Sequence, residues 1–442
     1  MKTVVIIVVA LFLLAVPAAL FFSSNTTVVE LTNPIEVIGS ETPLAIRATN
    51  PHGVRQLRVL VEQGGKQYEI SNTAQPANRF TFWFSSQPPH EVSVNAGTAV
   101  TPELQDGPAR VIVEAQSNDL RGLMSAITAD VLVKTKPPAL SVDGLQHYIN
   151  HGGSELVVFT VSGYWTEAGV RVGEYTFRSF AFPGEPGSGD TSKRFSLFGF
   201  PWDVPGDTAP IVYASNPTGA EATGRFWFKT FPKDFRSREL PISDEFVDTM
   251  AARLDPGGTG DALSRFLKIN GETRRANNQT LSDLRLKSEE RMLWSGPFLQ
   301  LANSKVESRF ADARDYLYQG RKVDHQVHLG FDLSVTQNID VAAANAGKVV
   351  FADNLGIYGN CVVVDHGYGL QSIYAHLSEI GVKPGDAVSK GQSLGKSGST
   401  GLAGGDHLHF SMQVDGVQIN PVEWWDAHWI QDRILSKLPP GS

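Results

Sequence analysis

The chain has 442 residues, with 46 acidic and 38 basic side chains and a formal net charge of −8. That length holds two to four domains, each with its own core, and the absence of any basic run argues against nucleic acid as a partner. The single cysteine, Cys361, excludes an internal disulfide but leaves the compartment open, because large secreted domains fold without them.

From Val4 to Phe22 the chain carries no charge. A membrane span needs roughly 20 apolar residues, whereas the core of a signal peptide has roughly 7–15. Lys2 precedes this run and the next positive charge is Arg47, so the positive-inside rule puts the N-terminus in the cytoplasm. Residues 1–26 are therefore expected to anchor the chain in the cytoplasmic membrane. Cleavage after Val16-Pro17-Ala18, giving a secreted protein, is the alternative. Either way the remaining domains belong to the cell envelope, facing the periplasm or the outside.

Residues 27–136 read as short strands divided by turns. LRVLVEQ, Gly64-Gly65 and KQYEI form a hairpin pattern. RFTFWF (79–84), ARVIVEA (109–115) and ITADVLVKT (127–135) add strands, and the spacing predicts an immunoglobulin-like sandwich. Lys136-Pro137-Pro138 marks a boundary. A second β-rich domain is expected over 137–235, with strands in ELVVFTVSG, VGEYTFRSFAF, APIVYAS and GRFWFKTF and an exposed loop from Pro183 to Lys193. Over 236–293 the pattern turns helical in SDEFVDTMAARL, DALSRFLKIN and LSDLRLKSEERML, which predicts a helical connector. Residues 294–442 return to β structure and close with a helix in EWWDAHWIQDRILSKL. The expected fold is mostly β: an N-terminal anchor, two β-sandwich-like domains, the connector and a C-terminal β domain.

Most of the histidines that suggest chemistry lie in this last part. In GGDHLHFSMQVDG, His407 and His409 alternate with Leu408 and Phe410, so a strand sends both imidazoles to one face and the apolar side chains to the other. In VHLGFDL, His328 precedes Asp332 by four residues, and a bend at Gly330 would let the two converge. In QSIYAHLS, strand alternation puts His376 on the face of Tyr374 and Ser372. Catalytic zinc takes three protein ligands from His, Asp or Glu and keeps a position for water. Four histidines and one aspartate supply three ligands and leave two imidazoles for proton transfer. Spacing alone does not say which of His407 and His409 would bind metal.

HLGFD, YAHL and GDHLHF, in that order, resemble the lysostaphin-type (LytM-domain) zinc endopeptidases, which cut peptide cross-links in peptidoglycan. The intervening AANAG (343–347), Tyr358-Gly359-Asn360, Asp365-His366-Gly367, VKPGDAVSKGQSLGKSGSTG and Ile419-Asn420-Pro421 fit the same pattern, over roughly Phe310 to Trp425. The resemblance implies a mostly antiparallel β domain with its site in an open groove. It makes His328, Asp332 and His409 the zinc ligands, and His376 and His407 the pair that activates water and steadies the tetrahedral intermediate. It further implies peptidoglycan as substrate. A regulatory protein partner is open, and a non-catalytic scaffold that activates another wall hydrolase is the alternative function.

Other residues have structural readings. His366 and His325 read as structural histidines beside a glycine turn, His428 belongs to an aromatic helix face, and Cys361 is a small buried hydrophobe. Arg314, Tyr316 and Tyr318 either line a substrate groove or form an exposed strand. The two N-terminal β domains show no ligand chemistry and suit a spacer, docking surface or lid.

Overall fold

A computed structural model describes residues 12, 15–78, 81–82, 86–185 and 191–440, and it is mostly β. Its chain divides into two units, the first comprising 1–138, 163–166 and 215–221, the second the remainder.

In the first unit, Val28–Leu31, Thr42–Thr49 and His90–Ala96 form a three-stranded sheet. A five-stranded sheet runs Val37–Ile38, Met124–Val133, Gly107–Ser117, Val54–Gln63 and Lys66–Ala74. Alternate residues of both sheets, among them Leu44, Ile46, Val59, Val61, Val111 and Val113, bury into one shared core. The expected hairpin turns at Gly64 and Gly65, whose φ angles of 59° and 80° are the left-handed pair that a two-residue turn of this hand requires. Predicted strand 79–84 lies mostly outside the described residues, and Thr81 and Phe82 are not in a strand. Most of the charge-free N-terminal run also lies outside them. Residues 15–23 are helical, and no helix among the described residues is long and apolar enough to cross a membrane.

The second unit begins with two four-stranded sheets whose long strands include Ser154–Ser162, Thr191–Gly199 and Glu167–Val172. Two expectations change here. Part of the predicted loop (186–190) lies outside the described residues, and its end, Thr191 to Lys193, pairs with Ser162 to Thr160 as strand. GRFWFKTF is not one strand. It stops at Gly224 and resumes at Phe228, which begins a parallel pairing with His147–Asn150. Between them Phe226 is buried while Trp227 is exposed.

Next comes strand β1 (Ser237–Ile242), then helix α1 (Asp244–Leu254), capped by the Ser243 hydroxyl accepting from Phe246 N at 3.2 Å. Helix α2 (Ala262–Lys268) runs through a π turn at Ile269–Thr273 into α3 (Arg274–Asp283) and a 3-10 turn to Lys287. The second predicted helix is thus longer than expected and the third shorter. Gly271 and Asn277-Asn278 lower helix propensity, and the burial of Ile269, Leu281 and Leu284 overrides it.

The C-terminal sheet has eight strands, all antiparallel. Strands β2 (Asp312–Tyr318) and β3 (Arg321–His328) form a ribbon beside it, onto which β1 adds in parallel. The large sheet contains β4 (Phe331–Ser334), β5 (Leu370–Leu377) and β6 (Leu408–Val414), ordered β4-β6-β5. One face packs Tyr374 on Phe410 and Phe410 on Trp425. On the other, Ile373, Ala375, Val363 and Cys361 meet Ile269, Leu281 and Leu284. The segment expected to be a connector is therefore part of this domain's core. Both faces of β6 are consequently covered: Gln413 Nε2 donates to Leu281 O at 2.8 Å, and only the histidine end opens into a groove. The predicted terminal helix breaks at Asp426, which caps helix α4 (Ala427–Arg433) through His428 N at 2.8 Å.

A polar seam ties the second β region to the C-terminal sheet. Arg178 Nε donates to Asp415 Oδ1 at 2.7 Å, and buried Lys437 meets buried Glu155 at 2.6 Å. Glu423 accepts from Asn150 Nδ2 at 2.7 Å and Ser154 N at 2.8 Å. Burial raises the Glu423 carboxyl from 4.5 to about 7, against the pull of those donors. Across that window the folded protein keeps a proton that the unfolded chain has lost, so this group makes stability fall as pH rises from 4.5 towards 7. Glu423→Gln should flatten the pH dependence of the denaturant midpoint over this window, by on the order of 3 kcal/mol at its upper end. An unchanged slope would refute the assignment.

Candidate metal centre

Antiparallel register brings the site together. Asp332 of β4 lies opposite His409 of β6, and His409 lies opposite Ala375 of β5. His328 ends β3, and the chain bends through Leu329-Gly330 before β4. The ring of His409 occupies the space above Gly330: a Cβ there would stand 2.6 Å from His409 Nε2. Gly330 thus provides both the bend foreseen from the sequence and room for a ligand ring.

His328 Nε2 lies 2.9 Å from Asp332 Oδ1 and 2.9 Å from His409 Nδ1, and His409 Nδ1 lies 3.1 Å from the same carboxylate oxygen. All three residues are buried or nearly so, and their donor atoms form a metal-capable cluster. The tautomer of His328 suits that role. His328 Nδ1 donates to Arg309 O at 3.1 Å, which leaves the Nε2 lone pair facing the cluster. Two imidazole nitrogens and one carboxylate oxygen are the donor set of catalytic zinc, and a tetrahedral ion with bonds of roughly 2.0–2.1 Å spaces its donors by little more than these distances. Zinc therefore fits. The second carboxylate oxygen, Asp332 Oδ2, accepts from Arg314 Nη2 at 2.8 Å, so Arg314 turns Oδ1 toward the histidines.

His376 reaches the site by a route that alternation does not foresee. Strict alternation would place it with Tyr374, whose ring packs on Phe410 across the sheet. Instead the pairing with the neighbouring strand shifts register between Asn360 and Val362, and His376 has φ 63°. This bulge, at a non-glycine residue in the left-handed region, turns the imidazole to the opposite face. The expectation that His376 shares a face with Tyr374 and Ser372 is corrected. Its ring centroid lies 4.8 Å from that of His407 and 5.8 Å from that of His409. His376 Nδ1 donates to Thr400 O at 2.8 Å and His407 Nδ1 to Gly405 O at 2.9 Å. Each hydrogen bond leaves Nε2 as the nitrogen able to take a proton.

Burial pushes His328 down to about 4 despite the Asp332 charge, and lowers His409 as well. His376 falls well below its ordinary value through burial and through repulsion by His407 and His409. Burial also disfavours a charged His407, but the hydrogen bond and charge of Asp332 prevail and raise it. Asp332, although buried, is held well below the carboxylate range by His328 and its neighbours. The ligand imidazoles are neutral and the carboxylate ionised, the forms that bind a metal.

The cluster lies in a cavity of about 540 Å³ whose walls include β1, α1 and α3 as well as the C-terminal sheet. Arg314 and Tyr316 line it, and Tyr316 rests on Phe266. Tyr318 instead lies near Asp244 of α1, which raises the pKa of its phenol. Arg238, Phe246 and Arg274 also line the cavity, and no motif in the sequence marks them. His366 is buried, bonded to Ala346 O at 2.8 Å and Ser372 Oγ at 2.7 Å. His325 pairs with Asp315 at 2.6 Å on the surface. His428 is 86% exposed beside Asp432 and does not join the Trp424–Trp429 contact, so it is not on an aromatic face. Cys361 is fully buried, and burial raises its thiol pKa.

Residues 326–421 match the family described as peptidase family M23, and the C-terminal region carries a domain of this LytM type. Among curated proteins, the DD-carboxypeptidase/endopeptidase Mpg of Neisseria meningitidis is 37% identical over 97 residues, 22% of this chain and 22% of Mpg. The peptidoglycan DD-endopeptidase ShyA of Vibrio cholerae is 40% identical over 96 residues, 22% of each chain. Stage II sporulation protein Q of Bacillus subtilis is 39% identical over 101 residues, 22% of this chain and 36% of that protein. The matches thus span between about a fifth and about a third of these relatives' lengths.

Proposed function

We propose that this M23 domain is a zinc-dependent endopeptidase that hydrolyses peptide cross-links of peptidoglycan. The observation that carries the proposal is the donor triangle of His328, Asp332 and His409, with the second imidazole pair, His376 and His407, in the same cavity. The relatives Mpg and ShyA, described as endopeptidases, support the substrate class.

When bound, zinc supplies Lewis acidity toward a carbonyl and lowers the pKa of its water to roughly 7. The chain supplies the rest. Arg314 orients Asp332, and Arg309 O fixes the ring of His328. His376 and His407, held through Nδ1, present Nε2 to take a proton from the attacking water and return it to the departing amine. Their protonated forms donate to the developing oxyanion. The charge-free N-terminal run supports a place in the cell envelope with the catalytic region beyond the cytoplasmic membrane.

A non-catalytic scaffold is the second reading, favoured by the likeness to sporulation protein Q, whose name states no enzymatic activity. His376→Ala separates the two. On the enzyme reading, the variant keeps its zinc and loses about 10²–10⁴-fold in turnover. Zinc-loaded wild-type protein that is as inactive as the variant would favour the scaffold.

A further inference from the structure

The cavity has an unusual charge balance. Among the described residues that line it, Asp332 is the one carboxylate, and three are arginines: Arg238, Arg274 and Arg314. This occurs in a chain whose net charge is −8. Arg314 is neutralised by Asp332 at 2.8 Å. Among the described residues, neither of the other two forms an ion pair with a carboxylate. Arg238 lies directly across from Arg314 in the parallel pairing of β1 with β2, a like-charge juxtaposition that costs stability in a sheet. The acidic group that acts on it, Glu307, already holds Lys305 at 2.8 Å and accepts from Ser334 at 3.1 Å. Arg274, the first residue of α3, donates through Nε to Asn270 O at 3.1 Å and through Nη2 to Asn270 Oδ1 at 2.5 Å. Asn270 is fully buried in the π turn and donates to Asp324 at 2.6 Å. The guanidinium is thereby aimed and held by a neutral residue, with donors to spare. Tyr358, which lines the same cavity as Arg274, sits with its ring 5.6 Å from that of His409. Two unneutralised forks therefore reach the metal-capable cavity from two different elements.

We propose that Arg238 and Arg274 are specificity-determining residues that bind free carboxylates of the substrate. The substrate class is then cross-linked stem peptides that keep an unamidated carboxylate beside the scissile amide, in preference to neutral glycine bridges or amidated stems. This rests on the endopeptidase reading above. A carboxylate can accept two parallel hydrogen bonds from each fork, and a carboxamide exchanges one acceptor for a donor and loses the charge.

The test uses the full chain and two synthetic cross-linked stem dimers, identical except for a free carboxylate or a carboxamide on the bridging diamino acid. Wild-type protein should cleave the carboxylate dimer with kcat/KM about tenfold or more above the amidated one, the difference falling on KM. Arg238→Gln and Arg274→Gln should each erode that discrimination by raising KM for the carboxylate dimer while zinc content is kept. Equal kcat/KM for the two dimers would overturn the proposal. Anisotropy of labelled dimers on zinc-free protein gives a readout independent of turnover. Tighter binding of the carboxylate form, lost in the variants, upholds the arginine site even if neither dimer is cut, a result that would count against the endopeptidase reading alone. Equal binding of both dimers overturns the arginine site.

Discussion

Replacing His409 with alanine is expected to leave the chain folded but unable to retain zinc. Its Nδ1 is one corner of the donor triangle, 2.9 Å from His328 Nε2 and 3.1 Å from Asp332 Oδ1. A catalytic zinc site has three protein ligands, and a pair of donors does not hold the ion against a mild chelator. The backbone around the substitution is secured independently: β6 pairs with β4 on one side and β5 on the other, and apolar Leu408, Phe410 and Met412 bury on the opposite face. Elemental analysis after dialysis should find about one zinc per wild-type chain and close to none in His409→Ala, with matching circular dichroism. Full zinc retention in a folded variant would remove His409 from the ligand set.

A second large effect concerns where the catalytic region begins. A cut just before Trp294, where the sequence suggests that β structure resumes, is expected to yield an insoluble fragment. It discards Ile269, Leu281 and Leu284, the inner face of the helical layer, and exposes Val363, Ile373 and Ala375 beneath it. Burial of three such side chains is worth roughly 1.5–3 kcal/mol each, and the sum rivals the whole stability of a domain, about 5–15 kcal/mol. Gln371 and Gln413 would also lose the carbonyls of Leu284 and Leu281. The cut strands Asp415, Glu423 and Lys437 without Arg178, Ser154 and Glu155, and a buried charge left unpaired is costly. A fragment beginning at Ala139 keeps every one of these partners and should fold and melt cooperatively. A soluble, cooperatively melting fragment from Trp294 would contradict this account of the core.

Strand periodicity is local, so the shared face of His407 and His409 and the opposite face of Leu408 and Phe410 follow from spacing alone, as does the glycine pair that turns the first hairpin. His376 breaks the same rule, because its backbone departs into the left-handed region, and nothing in YAHL announces a bulge. The helical layer reads as a connector because its helical patterns stand between two β-rich regions of the chain. Its role in the core depends on contacts with residues about 80 to 130 positions away, as the bonds of Tyr358 with Asn278 and Gln413 with Leu281 show. Arg238 and Arg274 were invisible for a related reason. An arginine on a strand or helix ordinarily faces water, and only the fold places these two in the cavity with the histidines.

The most direct measurement is mass spectrometry of the products released from purified sacculi by the zinc-loaded full chain, beside an aliquot treated with chelator. The expected result is new peptide termini at one defined cross-link bond, absent with chelator and restored when zinc is added back. Sacculi left intact by protein verified to carry zinc, or the same products appearing with and without chelator, would contradict a metal-dependent endopeptidase built on His328, Asp332 and His409.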